Sequence, residues 1–456
     1  METNDIKHVA IIGGGLVGSL NACFMAKRGF KVSLYELRKD IRKEAHVSGR
    51  SINLALSERG LSALNEVGLR EKVRPFGIPM YARMIHNRDS TKRRIPYGRE
   101  NQFIMSIDRR KLNELLLTVS ESQPNVELHF EHKLKQCSFN GKPKAIFETP
   151  SKETVEQDFD VVFGNDGAFS AVRNQIMKTT KFDFQQKFIP HGYMELSIPP
   201  NEEGQFAMES NCLHIWPRDE FMMISLPNLD KSFTTTLFMP FELFETLHTK
   251  DDLLNFFEKT FPDSLPLIGR KSLVETFFSR KALPMVTVKC HPYNVGGKAA
   301  IMGDAAHAMV PFYGQGMNAG FEDCIVMSQF LDEYKNDFDE ALPKYTEFRH
   351  VDAVSICDLA MYNYVEMRSL VNSKLFLVRK LVDNLLNKLF PHHWIPLYSM
   401  VSFSRIRYHE CIAKKKWQDQ LLLKTGKLLT LVTCFGTCTW MLQEHVLHFI
   451  QDTLPF

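Results

Sequence analysis

The sequence predicts an α/β fold in which a parallel nucleotide-binding sheet is interrupted by a mainly antiparallel β-sheet and followed by a helical region. Three observations carry this prediction. A glycine turn follows a short apolar strand at the start of the chain, short alternating strands succeed one another between about residues 181 and 283, and helical periodicity runs from residue 341 to about residue 420. The 456 residues are enough for two or three domains.

The first predicted strand, His8 to Ile12, opens into a glycine turn at Gly13, Gly15 and Gly18. In this spacing the first glycine allows a tight turn, the second lets the backbone approach a pyrophosphate, and the third lets the next helix pack on the strand. Glu36 ends the second strand, eighteen residues beyond Gly18, near the roughly twenty expected for an acid that bonds a ribose hydroxyl. The stretch therefore favours a Rossmann-like dinucleotide site over a purely structural turn, and it leaves NAD and FAD both open.

The composition and the N-terminal sequence argue against nucleic-acid binding, a disulfide framework, a metal site and a secretory signal. The formal net charge is +3 and 24% of the residues are charged, so no nucleic-acid partner is expected, and the basic run Lys92 to Arg94 is interpreted as part of a solvated loop. The nine cysteines include no C-x-x-C pair, which predicts neither a disulfide framework nor a metal site. Met1 to Lys7 has no basic region before an apolar core, so no secretory signal is expected.

Two further motifs each place a carboxylate after an apolar strand. Asp166 follows the run Phe159 to Phe163 and precedes Arg173. Asp304 follows the run Ala299 to Met302 and precedes a helix that is predicted to begin near Gly316. Taken alone, each motif is equally compatible with a capped turn.

In this order, the three motifs resemble those of the flavoprotein aromatic hydroxylases, the single-component FAD monooxygenases. The resemblance implies a resident FAD, NADPH as the transient reductant and O2 as a substrate. It also implies hydride transfer, oxygen capture as a flavin hydroperoxide, and oxygen transfer to an aromatic ring. The sequence has no second G-x-G-x-x-G, which agrees with a family that has no separate NADPH domain. Because the flavin carries the chemistry, no catalytic side chain is assigned.

The resemblance also implies a set of cofactor contacts. The glycine turn holds the ADP part of FAD, the Asp-Gly motif serves both FAD and NADPH, and the Gly-Asp motif meets the ribityl chain. Arg109 matches the family's flavin-contacting arginine, although by itself it is also compatible with a surface charge at a helix start. The implied cofactor residues are Gly13, Gly15, Val17, Gly18, Glu36, Arg38, Ala55, Arg109, Asp166, Asp304, Gly316, Met317 and Asn318.

Six further strings match one branch of this family, whose substrate is an aromatic amino acid. They are Gly49 to Leu56, Ala82 to His86, Pro190 to Leu196, His214 to Pro217, Met361 to Tyr364 and Phe403 to Tyr408. The residues aligned with that branch's substrate contacts are Arg83, Tyr97, Asn363 and Tyr398.

The chemistry of Arg83 and Tyr97 independently suits them to bind the carboxylate of an amino acid. A guanidinium and a phenol together bind a carboxylate well in a partly dry pocket. Arg83 and Tyr97 lie on two predicted strands on either side of the basic loop Arg88 to Arg94, so they are expected to meet across a hairpin; a surface cation–π pair is the alternative. Candidates for the wall of the ring pocket, which by spacing alone are equally ordinary core residues, are Leu213, Ile224, Phe238 and Phe312.

The predicted domain organisation has an FAD-binding domain over residues 1–180, with substrate-side strands near 80–105. It continues with a substrate-domain sheet over 181–283, the rest of the FAD-binding domain over 284–340, and a helical region over 341–425. The last segment, 426–450, is a candidate membrane anchor.

The candidate anchor is short for a membrane span. Leu428 to Leu442 holds no charged residue, but it has fifteen positions, whereas about eighteen to twenty apolar residues are needed to span a bilayer. Five lysines lie between positions 414 and 427, a flank that stays on the cytosolic side. A membrane-anchoring tail and a buried or interfacial helix are both compatible with this pattern. The resemblance implies attachment to the mitochondrial outer membrane, facing the cytosol.

Overall fold

The computed structural model describes residues 6–45, 53–98, 102–369, 373–425 and 427. The strands, in chain order, are β1 (His8–Ile12), β2 (Lys31–Tyr35), β3 (Asn53–Leu56), β4 (Gly77–Met80), β5 (Ala82–His86), β6 (Lys92–Pro96), β7 (Ile104–Asp108), β8 (Val126–His129), β9 (Lys133–Ser138), β10 (Lys144–Glu148), β11 (Thr154–Asp158), β12 (Val161–Gly164), β13 (Asp183–Ile198), β14 (Cys212–Arg218), β15 (Phe221–Pro227), β16 (Phe233–Pro240), β17 (Leu283–His291), β18 (Asn294–Val295) and β19 (Ala299–Ile301).

The α-helices are α1 (Leu16–Lys27), α2 (Glu58–Glu66), α3 (Arg70–Val73), α4 (Arg109–Glu121), α5 (Ala171–Ile176), α6 (Phe241–Glu245), α7 (Lys250–Thr260), α8 (Leu265–Ile268), α9 (Arg270–Ser279), α10 (Asp304–His307), α11 (Gly316–Glu333), α12 (Phe338–Arg368), α13 (Lys374–Leu389) and α14 (Leu397–Phe403). Residues 408–425 are also helical. This mixture of helices with parallel and antiparallel sheets confirms the predicted fold class.

The parallel sheet has the order β18–β19–β12–β1–β2–β8. Its neighbouring strands are parallel, apart from the antiparallel pair β18 and β19. Because β1, β12 and β19 are parallel and β12 lies between the other two, their carboxyl ends meet at one edge of the sheet, the usual place for a ligand in such folds. Gly13, Asp166 and Gly303 follow these three strands, so the topology brings the three sequence motifs together.

The second large sheet has the order β17–β13–β16–β15–β14–β5–β6 and is antiparallel, apart from the parallel pair β14 and β5. One face of this sheet presents Leu213, Ile224 and Phe238 to a cleft. The opposite face is buried against α7 to α9, where Trp216 and Leu237 belong to the same apolar cluster as Leu253 and Phe257 of α7 and Phe277 of α9. The helices thus support the sheet from behind and leave its front free for a ligand.

Two parts of the sequence-based prediction are wrong in this region. Lys92 to Arg94 is not a loop, because β6 begins at Lys92 and pairs with β5; this strand is at the edge of its sheet, where exposed basic side chains are well tolerated and discourage further strand pairing. The helices α6 to α9 were not predicted within 181–283. Outside this region, β9 and β11, which flank β10 in a separate three-stranded sheet, were also missed.

The C-terminal region is helical as predicted. The helix α13 ends at Leu389, just before Pro391, and Pro396 precedes α14, so this break in the helical region coincides with two prolines. Among the described residues, no helix has both the length and the apolar composition needed to cross a membrane. The predicted anchor over 426–450 lies outside the described residues, apart from position 427.

A buried polar chain ties β5 to β14 behind the cleft. His86 Nδ1 lies 2.5 Å from Asp263 Oδ2, and His86 Nε2 lies 2.9 Å from His214 Nδ1. His214 Nε2 lies 2.8 Å from the carbonyl oxygen of Glu209. Because a carbonyl only accepts, His214 donates from Nε2 and accepts at Nδ1, so the Nε2–H of His86 donates to His214. The two strands that carry Arg83 and Leu213 are thereby fixed in register.

This arrangement predicts a specific pH dependence of stability. Burial is the main reason that the pKa of His214 is lowered from 6.5 to about 4. In the unfolded chain this histidine binds a proton below about pH 6.5, whereas in the folded chain it does so only below about pH 4. The free energy of unfolding therefore falls as the pH drops from 6.5 to 4, by up to roughly 3 kcal/mol.

The variant His214→Gln is expected to lose less thermal stability than the wild type between pH 7 and pH 4, measured as Tm. The exposed His393 provides a matched control, and His393→Gln is expected to retain the wild-type pH dependence. Identical slopes for His214→Gln and the wild type would contradict the assignment.

Candidate active site

One continuous cleft of about 750 Å³ joins the carboxyl edge of the parallel sheet to the front of the second large sheet. The predicted site residues that line it are Gly13, Gly15, Val17, Glu36, Arg38, Ala55, Arg83, Arg109, Asp166, Leu213, Ile224, Phe238, Asp304, Phe312, Gly316, Met317, Asn363 and Tyr398. Gly18, Tyr97 and Asn318 are outside this lining and lie behind its walls. All the other predicted cofactor and substrate residues therefore share one cavity.

The three glycines of the first turn have distinct steric roles. Gly13 has a φ of +106°, and a Cβ placed there would lie 2.5 Å from the carbonyl oxygen of Asn165. A Cβ at Gly18 would lie 1.9 Å from the carbonyl oxygen of Gly13, so only glycine lets α1 pack this closely. Gly15 differs, since a Cβ there would meet no described atom within 4 Å and Gly15 lines the cleft. The open side of the turn thus has room for a ligand.

The N-terminus of α1 opens on the same side of the turn. Its N-cap residue is Gly15, and no side chain in the described part of the chain caps its first turn. The free N–H groups and the positive end of the helix dipole favour a bound anion such as a pyrophosphate.

Glu36 is held in place at the end of β2. Its Oε2 accepts from the backbone N–H of Gly14 at 2.8 Å, and its Oε1 accepts from that of Arg38 at 2.9 Å. A carboxylate has further lone pairs beyond these two bonds. Since Glu36 and Arg38 both line the cleft, the carboxylate is placed to accept from a ribose hydroxyl.

Asp166 caps the start of α5. Its side chain accepts from the hydroxyl of Ser170 at 2.5 Å and from the backbone N–H of Ala171 at 2.6 Å. Burial raises the pKa of Asp166, and these hydrogen bonds oppose that rise. Arg173 donates to the carbonyl oxygens of Ala168 and Ala305, so it connects the Asp166 motif to the Asp304 motif.

Asp304 and Arg109 both line the cleft and lie close enough to interact electrostatically. Burial raises the pKa of the Asp304 carboxyl, and the positive charge of Arg109 opposes the rise. Arg109 is the first residue of α4. The N-cap residue of this helix, Asp108, accepts from the backbone N–H groups of Arg110 and Lys111. A cation and a carboxylate at this position suit a cofactor that carries both polar hydroxyls and a charged ring system.

The loop before α11 is fixed from behind by Asn318. Its Oδ1 accepts from the N–H of Ser57 at 2.9 Å, while its Nδ2 donates to the carbonyls of Ala55 and Gly314 at 2.8 and 2.7 Å. Gly314 has a φ of +64°, in the left-handed region that favours glycine. No side chain among the described residues caps α11, so its N-terminus at Gly316 is a second free donor site on the cleft.

A buried arginine marks the other end of the cleft. Arg83 is 3% exposed, and its guanidinium lies 4.1 Å from the ring centroid of Tyr398 and 5.9 Å from that of Tyr97. Its Nη1 lies 3.4 Å from Glu366 Oε1. Burial alone would lower the pKa of Arg83, but Tyr398, Tyr97 and Glu366 outweigh it and raise the pKa, so the group is cationic.

Glu366 was missed by sequence reasoning. It lies three positions after Asn363 on α12 and therefore on the same helix face. That spacing, beside a string already assigned to the site, is the signal that would have identified it.

Polar atoms at this end of the cleft are not satisfied by the protein. Asn363 Nδ2 donates to the carbonyl of Phe312 at 2.8 Å, whereas Asn363 Oδ1 and Arg83 Nε are buried without a hydrogen-bond partner in the part of the chain that the structure describes. An unsatisfied buried polar group costs about 1–3 kcal/mol. A polar ligand that enters here, with a small rotation of these side chains, supplies the missing partners.

Aromatic side chains form a flat apolar slot between the two ends. Phe312 stacks on Tyr364, with centroids 3.7 Å apart and planes 12° from parallel. Phe238 meets Phe312 edge-on at 5.0 Å. Leu213 and Ile224 complete this wall from the sheet, so the slot suits a planar ring and excludes water.

The family model described as an FAD binding domain matches residues 7–359. The fold is similar to that of 2-methyl-3-hydroxypyridine-5-carboxylic acid oxygenase, with a TM-score of 0.64, 19% identity, and coverage of 80% of this chain and 94% of that one. It is also similar to p-nitrophenol 4-monooxygenase from Pseudomonas putida, with a TM-score of 0.65, 16% identity, and coverage of 85% and 94%. The glycine turn, the N-termini of α1 and α11, and Glu36 all lie within the part of the chain that the FAD binding domain model matches.

Closer relatives are known from their sequences. The kynurenine 3-monooxygenase of Sus scrofa is 52% identical over 444 residues, which cover 95% of this chain and 93% of the relative. The enzyme of the same name from Caenorhabditis elegans is 50% identical, with coverage of 91% and 93%, and that from Flavobacterium johnsoniae is 40% identical, with coverage of 94% and 96%. This chain belongs to the FAD-dependent aromatic monooxygenases, in the family of the kynurenine 3-monooxygenases.

The contrast between Gly15 and Gly18 gives a direct test of FAD binding at the glycine turn. Gly15 has an extended backbone, with a φ of −74°, so Gly15→Ala is expected to fold with nearly wild-type apoprotein stability. Its added methyl group would occupy the space meant for the pyrophosphate and raise the Kd for FAD by about 10- to 100-fold. Fluorescence titration of the apoprotein with FAD measures this change.

Gly18→Ala is the matched control, because its methyl group meets the Gly13 carbonyl. It is expected to lower the apoprotein Tm, with a loss of about 1–3 kcal/mol of stability. Gly15→Ala could instead lower the apoprotein stability as much as Gly18→Ala and leave the Kd for FAD unchanged. That result would contradict the placement of the FAD pyrophosphate beside Gly15.

Proposed function

We propose that this protein hydroxylates L-kynurenine at the ring carbon beside its amino group, giving 3-hydroxykynurenine in the kynurenine pathway of tryptophan degradation. FAD is the resident cofactor, NADPH the reductant and O2 the source of the oxygen atom. The observation that carries the proposal is the single cleft, with a nucleotide cradle at one end and the buried Arg83 guanidinium at the other. The names of the relatives point to the same substrate.

The amino acid group of the substrate has a matching set of protein groups. The Arg83 guanidinium binds the carboxylate, and Tyr97 and Tyr398 hold the guanidinium through contacts with their rings. Asn363 Oδ1 and the Glu366 carboxylate accept from the α-ammonium group. The same pair of residues would disfavour an aromatic ring without an amino acid group, because Arg83 Nε and Asn363 Oδ1 would then remain buried without hydrogen-bond partners in the described part of the chain.

The planar part of the substrate lies in the aromatic slot. Phe312 and Phe238 contact the ring, and the segment that carries Phe312 connects the Asp304 motif to the N-terminus of α11 at Gly316. A ring held by the clamp at one end and this wall at its side is directed towards the cofactor end of the cleft. The protein's contribution is therefore orientation and exclusion of water.

No protein nucleophile is required. When bound, FAD supplies the acceptor for the NADPH hydride and the activation of O2. The ring amine of kynurenine supplies electron density to the neighbouring carbon. Arg109 and the free N-terminus of α11 provide positive electrostatic potential on the cofactor side of the cleft.

Arg83→Ala is expected to raise the KM and the Kd for kynurenine by about 10- to 100-fold, because a charge-assisted clamp is lost. FAD content should remain at the wild-type level, since Arg83 is at the far end of the cleft. Arg94→Ala is the matched control, because Arg94 pairs with Met84 in the same hairpin but is exposed. Kynurenine-stimulated NADPH oxidation measures the effect, and an unchanged KM in Arg83→Ala would rule out the clamp.

We also infer that the C-terminal region attaches the protein to the mitochondrial outer membrane on its cytosolic side. The uncharged run at 428–442 supports this. So does α13, which exposes apolar side chains at helical spacing: Leu375, Val378, Leu381, Leu385 and Leu389. Lysines at 414–416, 424 and 427 suit an anionic lipid surface.

Removal of the tail tests this attachment. A chain that ends at Lys427 is expected to move from the membrane pellet to the soluble fraction, whereas the full-length variant Leu381→Gln/Leu385→Gln should remain in the pellet with weaker resistance to salt. If the shortened chain still sedimented fully with membranes, the tail would not be the anchor.

A further inference from the structure

A cluster of buried charges lies directly behind the Gly303–Asp304 turn, outside the lining of the cleft. Its members have side chains that are at most 4% exposed: Arg59, Glu322, Asp323, Arg349 and Asp352. Arg405, Arg407 and His409 close the cluster at its rim. Taking charges out of water is costly unless each charge is paired and hydrogen-bonded with good geometry.

Asp323 is the member that contacts the turn. Its Oδ2 accepts from the backbone N–H of Gly303 at 2.8 Å and from His307 Nε2 at 2.7 Å. Its Oδ1 accepts from Arg349 Nε at 2.6 Å. Burial raises the pKa of Asp323, but His307 and Arg349 outweigh it and the pKa is lowered, so the group is a carboxylate.

These bonds hold both ends of the turn at once. Gly303 begins the turn with a φ of +61°, His307 ends the short helix α10, and Asp304 lies between them. The N–H groups of Ala306 and His307 both donate to the Gly303 carbonyl. The Asp323 carboxylate fixes the positions of Gly303 and His307. These two residues in turn determine how Asp304 is directed into the cleft.

We propose that Asp323 is a positioning residue for the cofactor: held by Arg349, its carboxylate fixes the Gly303–Asp304 turn in the form that binds FAD. The inference rests on FAD occupying this cleft. Asp323 itself contacts neither cofactor nor substrate, since it lies on α11 behind the wall. Its effect is transmitted through the Gly303 amide and the His307 ring.

An amide cannot replace this carboxylate. Three donors converge on its two oxygens, so the Nδ2 of Asp323→Asn must face either Arg349 or the pair formed by Gly303 and His307. At least one hydrogen bond is lost in either case, because the backbone N–H of Gly303 and Arg349 Nε can only donate. The Arg349 guanidinium would remain compensated by Glu322 at 3.1 Å and Asp352 at 3.9 Å, so the variant is expected to fold.

Asp352 provides a matched control in the same cluster. It is 1% exposed, and it pairs with Arg407 at 2.8 Å and His409 at 2.7 Å. Its replacement by asparagine changes the buried charge by the same amount as Asp323→Asn. Asp352 has no contact with Gly303 or His307 among those described, so a general loss of cluster charge and a specific loss of turn geometry are separable.

The experiment compares apoprotein Tm, the Kd for FAD and the visible spectrum of bound FAD in wild type, Asp323→Asn and Asp352→Asn. Asp323→Asn is expected to raise the Kd for FAD by about 10- to 100-fold relative to Asp352→Asn and to shift the flavin absorption bands. Equal Kd values and equal spectra in the two variants would overturn the proposal.

Asp323→Glu provides a second variant if Asp323→Asn does not fold. It retains the charge and Arg349 pairing but moves the carboxylate by one methylene group, so weaker FAD binding is again expected at near wild-type Tm. Wild-type FAD affinity in Asp323→Glu would refute positioning. If the wild-type protein itself bound no FAD, the proposed function would fail together with this inference, whereas normal wild-type binding with unaffected variants would refute the inference alone.

Discussion

Two helix N-termini open on one cleft, and in the described residues neither has a side-chain cap. The helix α1 begins beside Gly15, and α11 begins at Gly316. Their free N–H groups and dipoles create positive potential that the protein itself does not neutralise. Both helix ends therefore favour a negatively charged ligand such as a nucleotide cofactor, and the rest of the structure keeps them facing the same cleft.

The two large sheets maintain that space in different ways. The parallel sheet contributes its carboxyl edge, where β1, β12 and β19 bring three separate motifs together. The second sheet contributes a face, whose opposite side is buried against α7 to α9 and tied together by the chain from Asp263 through His86 to His214. Rigid support from behind lets the front of each sheet remain exposed to a ligand.

The C-terminal region belongs to this same assembly. Arg59 donates to the carbonyl oxygen of Val401 at 2.9 Å and pairs with Glu322 at 2.9 Å. The hydroxyl of Tyr408 donates to Gln315 Oε1 at 3.0 Å, next to the N-terminus of α11. The C-terminal helices thus contact the loop that precedes α11, so the C-terminal region and the cleft are parts of one packed unit.

The sequence predicted what local chemistry determines. The glycine spacing and Glu36 predicted a dinucleotide site, and the resemblance of the Asp166 and Asp304 motifs to those of the flavoprotein aromatic hydroxylases implied FAD. It did not predict α6 to α9, because their apolar faces could not be distinguished from the strands around them, nor β6, because its basic residues look solvated whether they lie in a loop or in an edge strand. Glu366 and Asp323 were missed because their roles depend on long-range contacts with Arg83 and Gly303.

We propose that one cleft holds FAD and an aromatic amino acid in contact. Anaerobic titration of the purified protein with L-kynurenine, followed through the visible absorption of its FAD, tests this arrangement. We expect a yellow protein and a saturable change in the flavin bands, with one kynurenine bound per FAD. A protein without flavin, or flavin bands that do not change at any kynurenine concentration, would contradict it.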